Sequence, residues 1–360
     1  MKRMTYMSSI TTAHSRDAID QIGRRSADRN AEDGITGVLL TLGSSFFFQI
    51  IEGGNQAIDD LYARVLRDDR HTDIICLRTE HDIDERLFPV WSMNVFDLDE
   101  LGGDVIEPLK LLLARMSEAQ NIIERYTQPA VSRIMTAGLN PLEVPLRQVD
   151  RVVMFTDMVA FSAISDRLPI DDVSELVTTY LEACSTAIGD CGGEVTKFLG
   201  DGVMAYFDAE LADAALQSCV DIQRELSRIR ETASPDSALR LLYSGCGLAL
   251  GPVIEGTMGS SVKMDYTIIG EPVNTAARVE TLTRRLDAPV LLTEAVASAA
   301  RNSWNIVPAG EYDLGSGSVT PVLRLVDPAI ESLDMRSAVS RHLDVVVLPA
   351  GETGTSRPER

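Results

Sequence analysis

The chain has 360 residues, 45% of them apolar, and its 33 Lys and Arg against 54 Asp and Glu give a formal net charge of -21 at pH 7. So acidic a balance argues against nucleic acid as the main partner, because phosphate binding needs a basic face that releases counterions. No apolar run reaches the ~18 to 20 residues that span a bilayer, and the basic start of the chain leads into no apolar stretch, so neither a membrane partner nor an export signal is expected.

Two domains of ~150 residues with a connector fit this length. Residues 1–97 alternate short apolar strands, Gly37 to Leu42, Phe46 to Ile51 and Ile74 to Leu77, with polar helix-like stretches around Arg16 to Asn30 and Gln56 to Arg70. They predict a compact sheet with two helices. Residues 98–147 form a connector in which Val105, Leu109, Leu112, Met116, Ala119, Ile123 and Tyr126 recur by fours and threes, a heptad seam. A coiled coil between two copies and an amphipathic helix buried in one domain explain that stripe equally well. The stretch from Tyr126 to Pro145 is turn-rich and marks a boundary. Residues 148–327 restart with a strand, Arg151 to Phe155, and a helix near Asp171 to Ile188. A hairpin over Glu194 to Phe207, a helix at Ala212 to Arg230, a strand at Leu241 to Leu248 and a helix from about Pro272 to Leu286 follow. Strands and helices interleaved with hairpins make the class α+β. Residues 328–360 are a tail whose last stretch, Gly351 to Arg360, is too polar to fold alone. The five cysteines, an odd number with no CxxC pair, read as reduced thiols of a cytoplasmic protein, small buried hydrophobes in the first instance.

Two constellations carry chemistry. In the first domain, period-2 alternation sets Phe47, Gln49 and Ile51 on one strand face and Phe46, Phe48 and Ile50 on the other. Both faces are apolar, so Gln49 is expected to be buried and to need a polar partner, either a loop backbone or a bound heterocycle. Tyr6 in the opening strand offers a phenol to such an amide. Asn30 shares a helical stripe with Ile19, Ile22, Gly23 and Ser26 and is expected to face the sheet, while Trp91 and Met93 share a face of an extended run. Arg64 and Asp68 stand four apart on the second helix and read equally as an exposed ion pair.

Tyr6, Asn30, the run from Phe48 to Gly53, the turn from Asp69 to Thr72 and the run from Trp91 to Met93 together resemble BLUF domains, blue-light sensors that bind a flavin. The resemblance implies a ferredoxin-like sheet holding the flavin, FMN or FAD, between its two helices. It implies that Asn30 and Gln49 bond to the ring carbonyl edge, that Tyr6 bonds to Gln49, and that Arg64 and Asp68 reach the ring. Light-driven transfer of an electron and a proton from the phenol would leave the Gln49 amide rearranged, a hydrogen-bond switch that Trp91 and Met93 would pass to the following helix.

In the second domain Asp157 ends a strand and Asp201 sits at the tip of the Gly200-Asp201-Gly202 hairpin. Turn chemistry alone accounts for Asp201, and two such carboxylates also suit Mg²⁺. Asn274 and Arg278 are four apart on a helix, an amide to orient a ribose and a guanidinium to meet phosphate charge, or a solvated polar stripe. The motifs Phe155-Thr156-Asp157, Lys197 to Asp201 and Gly270 to Arg278 in this order resemble class III nucleotidyl cyclases. That resemblance implies that Asp157 and Asp201 hold two Mg²⁺, with Mn²⁺ as the alternative, and that Asn274 and Arg278 stabilise the transition state. It implies that Lys197 and Thr267 recognise the base; a Lys donor and a Thr acceptor favour adenine. Two features depart from the family: Glu271-Pro272 replaces its usual Asp before Val-Asn, and Leu314 to Gly317 lacks the lysines that many relatives use for triphosphate.

In sequence, the two resemblances match bacterial photoactivated adenylyl cyclases. The expectation is a parallel homodimer, cytoplasmic, that converts ATP to cyclic AMP and pyrophosphate under blue light, the ribose 3′-hydroxyl attacking the α-phosphate. The catalytic sites would lie between two copies, and the light signal would enter the cyclase pair near Tyr126. A light-sensing nucleotide-binding protein without turnover, and a guanylyl or dual-substrate cyclase, are the rival readings.

Overall fold

The computed structural model describes residues 1–10, 29–42, 46–68, 71–89, 94–98, 107–108, 110–113, 115, 126–260, 262–315, 319–328, 330 and 334–346. They form two units, Met1–Val144 and Pro145–Arg360.

In the first unit β1 (Lys2–Ile10), β2 (Thr36–Leu42), β3 (Phe46–Gly53), β4 (His71–Glu80) and β5 (Asn94–Asp97) make one sheet in the order β4-β1-β3-β2-β5. The central strands are antiparallel and β5 joins β2 in parallel. With α1 (Asn55–Val65) between β3 and β4, this is the compact sheet that the alternating pattern predicts and the ferredoxin-like plan that the BLUF resemblance implies. Met4, Tyr6, Phe47, Ile51, Ile58 and Tyr62 pack together on the α1 side, and Met7, Phe46, Ile75 and Leu113 form a second cluster, so β1 and β3 are apolar on both faces. α1 ends at Val65, so Asp68 lies beyond it in the turn to β4, and Arg64 and Asp68 do not share the helical face that their spacing predicts. The amphipathic α2 (Pro129–Thr136) starts at a proline, which suits a first helical turn. Of the heptad seam, Leu112 is exposed, whereas its neighbour Leu113 is buried. Val105, Leu109, Met116, Ala119 and Ile123 lie outside the described residues. So do the stripe residues from Ile19 to Ser26 and the tail from Gly351 to Arg360.

The second unit is built on β6 (Arg147–Met158), β7 (Glu194–Leu199), β8 (Gly202–Asp208), β9 (Ser244–Gly259), β11 (Val290–Thr293), β12 (Ile306–Asp313) and β13 (Val319–Leu325), ordered β12-β13-β11-β9-β6-β8-β7, with β10 (Met264–Ile269) on β9. After β6 come α3 (Phe161–Ser165) and α4 (Ile170–Asp190), and after β8 comes α5 (Ala212–Thr232). Then follow α6 (Glu271–Leu286), α7 (Glu294–Ala299) and α8 (Met335–Val346). Strand alternation divides the core: Val152 and Met154 join Leu176, Cys184, Leu216 and Ile222 of α4 and α5, whereas Val153 joins Ala249, Val253 and Ala276 of α6. The start of β6 is pinned by the buried Glu255 of β9. It accepts from Arg147 at 2.9 Å, Arg151 at 2.9 Å and the Tyr266 hydroxyl at 2.7 Å. Burial pushes that carboxyl up, and these donors outweigh it and hold it below its usual range. Gly245 and Gly247 of β9 leave no side chain under α6; a Cβ at Gly247 would lie 2.2 Å from Glu280 N. The helix therefore sits down on the strand and carries Glu280 into the interior.

Candidate functional sites

In the first unit Tyr6 and Gln49 are direct cross-strand partners, and the Tyr6 hydroxyl donates to Gln49 Oε1. Gln49 is half-buried rather than fully enclosed, while Tyr6 and Asn30 are both buried to within 1%. Burial, and then the neighbouring Tyr62 phenol, push the Tyr6 hydroxyl well above its ordinary pKa, so it stays protonated as a donor. Tyr62 meets Tyr6 edge to face with ring centroids 5.4 Å apart, and its own hydroxyl donates to the Thr136 carbonyl at the end of α2. Arg64 is exposed and bonds Asp33 at 3.2 Å. Asp68 is half-buried, and its carbonyl accepts from His71 N at 3.0 Å. Tyr126 is 88% exposed. Trp91 and Met93 lie outside the described residues.

In the second unit the β7–β8 hairpin, paired Leu199 to Gly202, brings its tip against the end of β6. A Cβ at Gly202 would stand 3.2 Å from Asp157 Oδ1. Burial, then a hydrogen bond to Asp157 and its charge, push the Asp201 carboxyl up to about 7. Two further charges join this pair. Arg284 of α6 bonds Asp157 Oδ2 through Nη2, which also lies 3.3 Å from the Met158 carbonyl and 3.0 Å from Glu280 Oε1. Burial pushes Glu280 up to about 8; the Arg284 charge opposes this, and Asp157 and Asp201 add to it.

Lys197 lies just past a bulge in β7, where Thr196 turns inward and donates to the Met204 carbonyl at 2.8 Å. Its Nζ is 3.9 Å from Asp265 on β10, and Asp265 shares a strand face with the buried Thr267 two residues on. The structure thus gathers Lys197, Asp265 and Thr267 at one edge of the sheet. Asn274 and Arg278 do not join Asp157 and Asp201 in one cluster. Both are exposed on the outer stripe of α6, opposite Ala276, Val279, Glu280 and Thr283. The Gly315 backbone lies against Arg278, where a Cβ would fall 2.5 Å from Nη1. Glu271-Pro272 starts α6 without disturbance: Pro272 is in the first turn, and Thr275 donates to the Glu271 carboxylate.

Residues 1–94 match the BLUF family, described as sensors of blue-light using FAD. Residues 144–322 match the adenylate and guanylate cyclase catalytic domain. A solved bacterial light-regulated adenylyl cyclase is 40% identical, superposes with a TM-score of 0.88, and is covered over 96% of this chain and 100% of its own. The chain belongs to the BLUF-linked, light-regulated adenylyl cyclase family. Photoactivated adenylate cyclase subunits beta and alpha of Euglena gracilis are each 31% identical over 82% and 86% of this chain, which spans only 34% and 30% of their lengths. BLUF domains bind a flavin and class III cyclase domains use Mg²⁺ or Mn²⁺. Both fit this member of the family. The buried Asn30, the Gln49 amide and the Tyr6 phenol are donor–acceptor groups of the kind that the imide edge of a flavin pairs with. Asp157 and Asp201 are oxygen donors forced together, and among the described residues no group of three or more acid, His or Cys side chains could enclose an ion. Two carboxylates plus substrate phosphate are what Mg²⁺ takes.

Four features of this light-regulated cyclase fold escape motif reading: Tyr62 against Tyr6, Asp265 against Lys197, Glu280 with Arg284 beside Asp157, and Gly315 under Arg278. One of them has a sequence signal. Glu280 falls on the apolar stripe of α6 with Ala276 and Val279, and a carboxylate there needs a partner, which Arg284 at i+4 supplies.

Proposed function

We propose that this chain is a blue-light-activated adenylyl cyclase acting as a homodimer in the cytoplasm: residues 1–97 sense light, 98–147 couple, 148–327 catalyse, and 328–360 are a tail. The observation that carries the catalytic half is the joined pair Asp157 and Asp201 at the mouth of the β6 and β7–β8 edge. When bound there, the divalent cations supply charge neutralisation for the attacking and leaving oxygens of an in-line displacement. Lys197 and Thr267 hold adenine, with Asp265 keeping Lys197 extended along the strand. Asn274 and Arg278 point away from their own core and complete the site of a second copy, where Asn274 orients the ribose and Arg278 meets the charge that develops on the transferring phosphoryl.

The Tyr6 hydroxyl and Gln49 amide form the photoswitch, with Asn30 securing the flavin and Arg64 and Asp68 toward its rim. Trp91 and Met93 relay the change to the connector, and Tyr126 is where it passes on toward β6. Among the described residues no helix is long and apolar enough to cross a membrane, and free thiols, four of them buried, suit a reducing compartment.

One preparation tests the whole reading. The purified full chain should be yellow, its flavin band should shift to the red after blue light, and it should make cyclic AMP from Mg-ATP faster lit than dark. An unshifted band overturns the sensor assignment. Absence of cyclic product from ATP in both conditions overturns the cyclase assignment, and cyclic GMP formed from GTP in its place favours the guanylyl rival.

A further inference from the structure

Arg284 and Glu280 have no part in the function above, yet they occupy the same charged cluster. Two carboxylates, Asp157 and Glu280, contact one guanidinium, and the Asp201 charge acts on it as well. Arg284 is committed to Asp157, the position a divalent cation would take. Its ion pair with Glu280 is incomplete: Nη2 is 3.0 Å from Oε1 but off the hydrogen-bonding direction. In consequence Glu280 Oε1 and Arg284 Nε are both buried without a hydrogen-bond partner. The Glu280 side chain is only 7% exposed, so water does not compensate it. Leaving such atoms unmade costs free energy that a small rotation of one side chain would recover.

A divalent cation entering at Asp157 and Asp201 repels a guanidinium on the same carboxylate, and Glu280 is the nearest unsatisfied acceptor. We propose that Arg284 is a stand-in for the metal: it neutralises Asp157 while no cation is bound and moves onto Glu280 when one arrives. Arg284 then compensates Asp157 before the metal arrives and Glu280 afterwards, so that entry of the cation costs little more than a side-chain rotation. Both are positioning residues, since they act through Asp157. The inference rests on Asp157 and Asp201 being the metal ligands.

The test is nucleotide-free Mn²⁺ binding to the full chain, read from loss of the free-ion electron paramagnetic resonance signal, with thermal melts in chelator as the check on folding. Arg284→Gln removes the competitor and should tighten Mn²⁺ by about 10-fold, the scale on which a neighbouring charge changes a carboxylate's affinity for a cation. Glu280→Gln removes the berth and should weaken Mn²⁺ by about as much. In the Arg284→Gln background Glu280→Gln should matter little, because there is no longer a guanidinium to receive. Should Arg284→Gln fail to fold, Glu280→Gln/Arg284→Gln, which leaves no lone buried charge, carries the comparison and should bind more tightly than Glu280→Gln alone. Unchanged or weaker binding without Arg284, or an equal loss from Glu280→Gln in both backgrounds, overturns the hand-over. Asp157→Asn should abolish binding in every background; if it binds as wild type does, the metal-ligand assignment itself falls and takes the hand-over with it.

Discussion

At Gly315 the absence of a methyl group decides where Arg278 lies. Its φ of +77 falls in the left-handed region, and a Cβ would intrude to 2.5 Å from the guanidinium. Gly315→Ala should therefore strain the loop by about 1 kcal/mol and displace Arg278, lowering kcat by about 10-fold with a small change in KM, as expected for a contact made in the transition state. Steady-state kinetics on ATP checks this; an unaltered kcat would remove Arg278 from the reaction. That glycine also bears on the missing triphosphate lysine. Gly315, next to Leu314, is taken up by its approach to Arg278, a role that spacing alone could not disclose, because it depends on how β12 ends over a helix some forty residues earlier.

At the scale of elements, α2 is tied through Tyr62 of α1 to the Tyr6 ring. The Tyr62 hydroxyl holds the Thr136 carbonyl, the Thr136 hydroxyl donates to the Ile74 carbonyl of β4 at 3.1 Å, and Tyr62 itself packs on Tyr6. Tyr62→Phe keeps the ring and removes one bond worth about 1 kcal/mol, so the flavin shift should persist while the lit-to-dark activity ratio falls about 5-fold. An unchanged ratio would show that the tether carries no signal. In the second unit, Asp213 in the first turn of α5 accepts from Arg301 N, Asn302 N and Trp304 Nε1, which fastens the loop after α7. Burial pushes its carboxyl up, but those donors outweigh it and leave it below the usual value. Folding therefore gains from Asp213 fully above about pH 3.9, and the gain is lost as pH falls through the lower folded value. Asp213→Asn should cost about 1 kcal/mol at pH 7, and its melting curve should converge on that of the wild type in acid.

The same elements show what the sequence discloses. The double-sided strand β3, the hairpin around Asp201 and the start of α6 at Glu271 follow from alternation, Gly-Asp-Gly turn chemistry and proline placement, all local rules. Glu280, Arg284 and Asp265 are legible only once β9, β10 and α6 are stacked. Their partners lie across a sheet whose register no local pattern fixes. The second helix ends at Val65, short of the stretch to Arg70 that polarity suggests, because Arg67 N and Asp68 N turn back to the Arg64 and Val65 carbonyls and close the last turn.

For the whole molecule, the division of α6 into a buried and an exposed stripe predicts complementation. Asp157→Asn and Arg278→Ala should each be inactive as pure proteins, yet an equal mixture should recover about a quarter of wild-type activity, since half the dimers are mixed and each has one intact site. Recovery should require exchange of protomers, measurable by following activity after mixing; a mixture as inactive as its components would place all the groups on one copy.

Exposure of that stripe has an outcome for the cell as well. If Asn274 and Arg278 complete the site of a second copy as proposed, a lone copy would be silent however brightly it is lit, and in dilute protein the yield of second messenger would rise with the square of abundance. Gene expression would then set whether illumination registers at all, and light would set only how strongly.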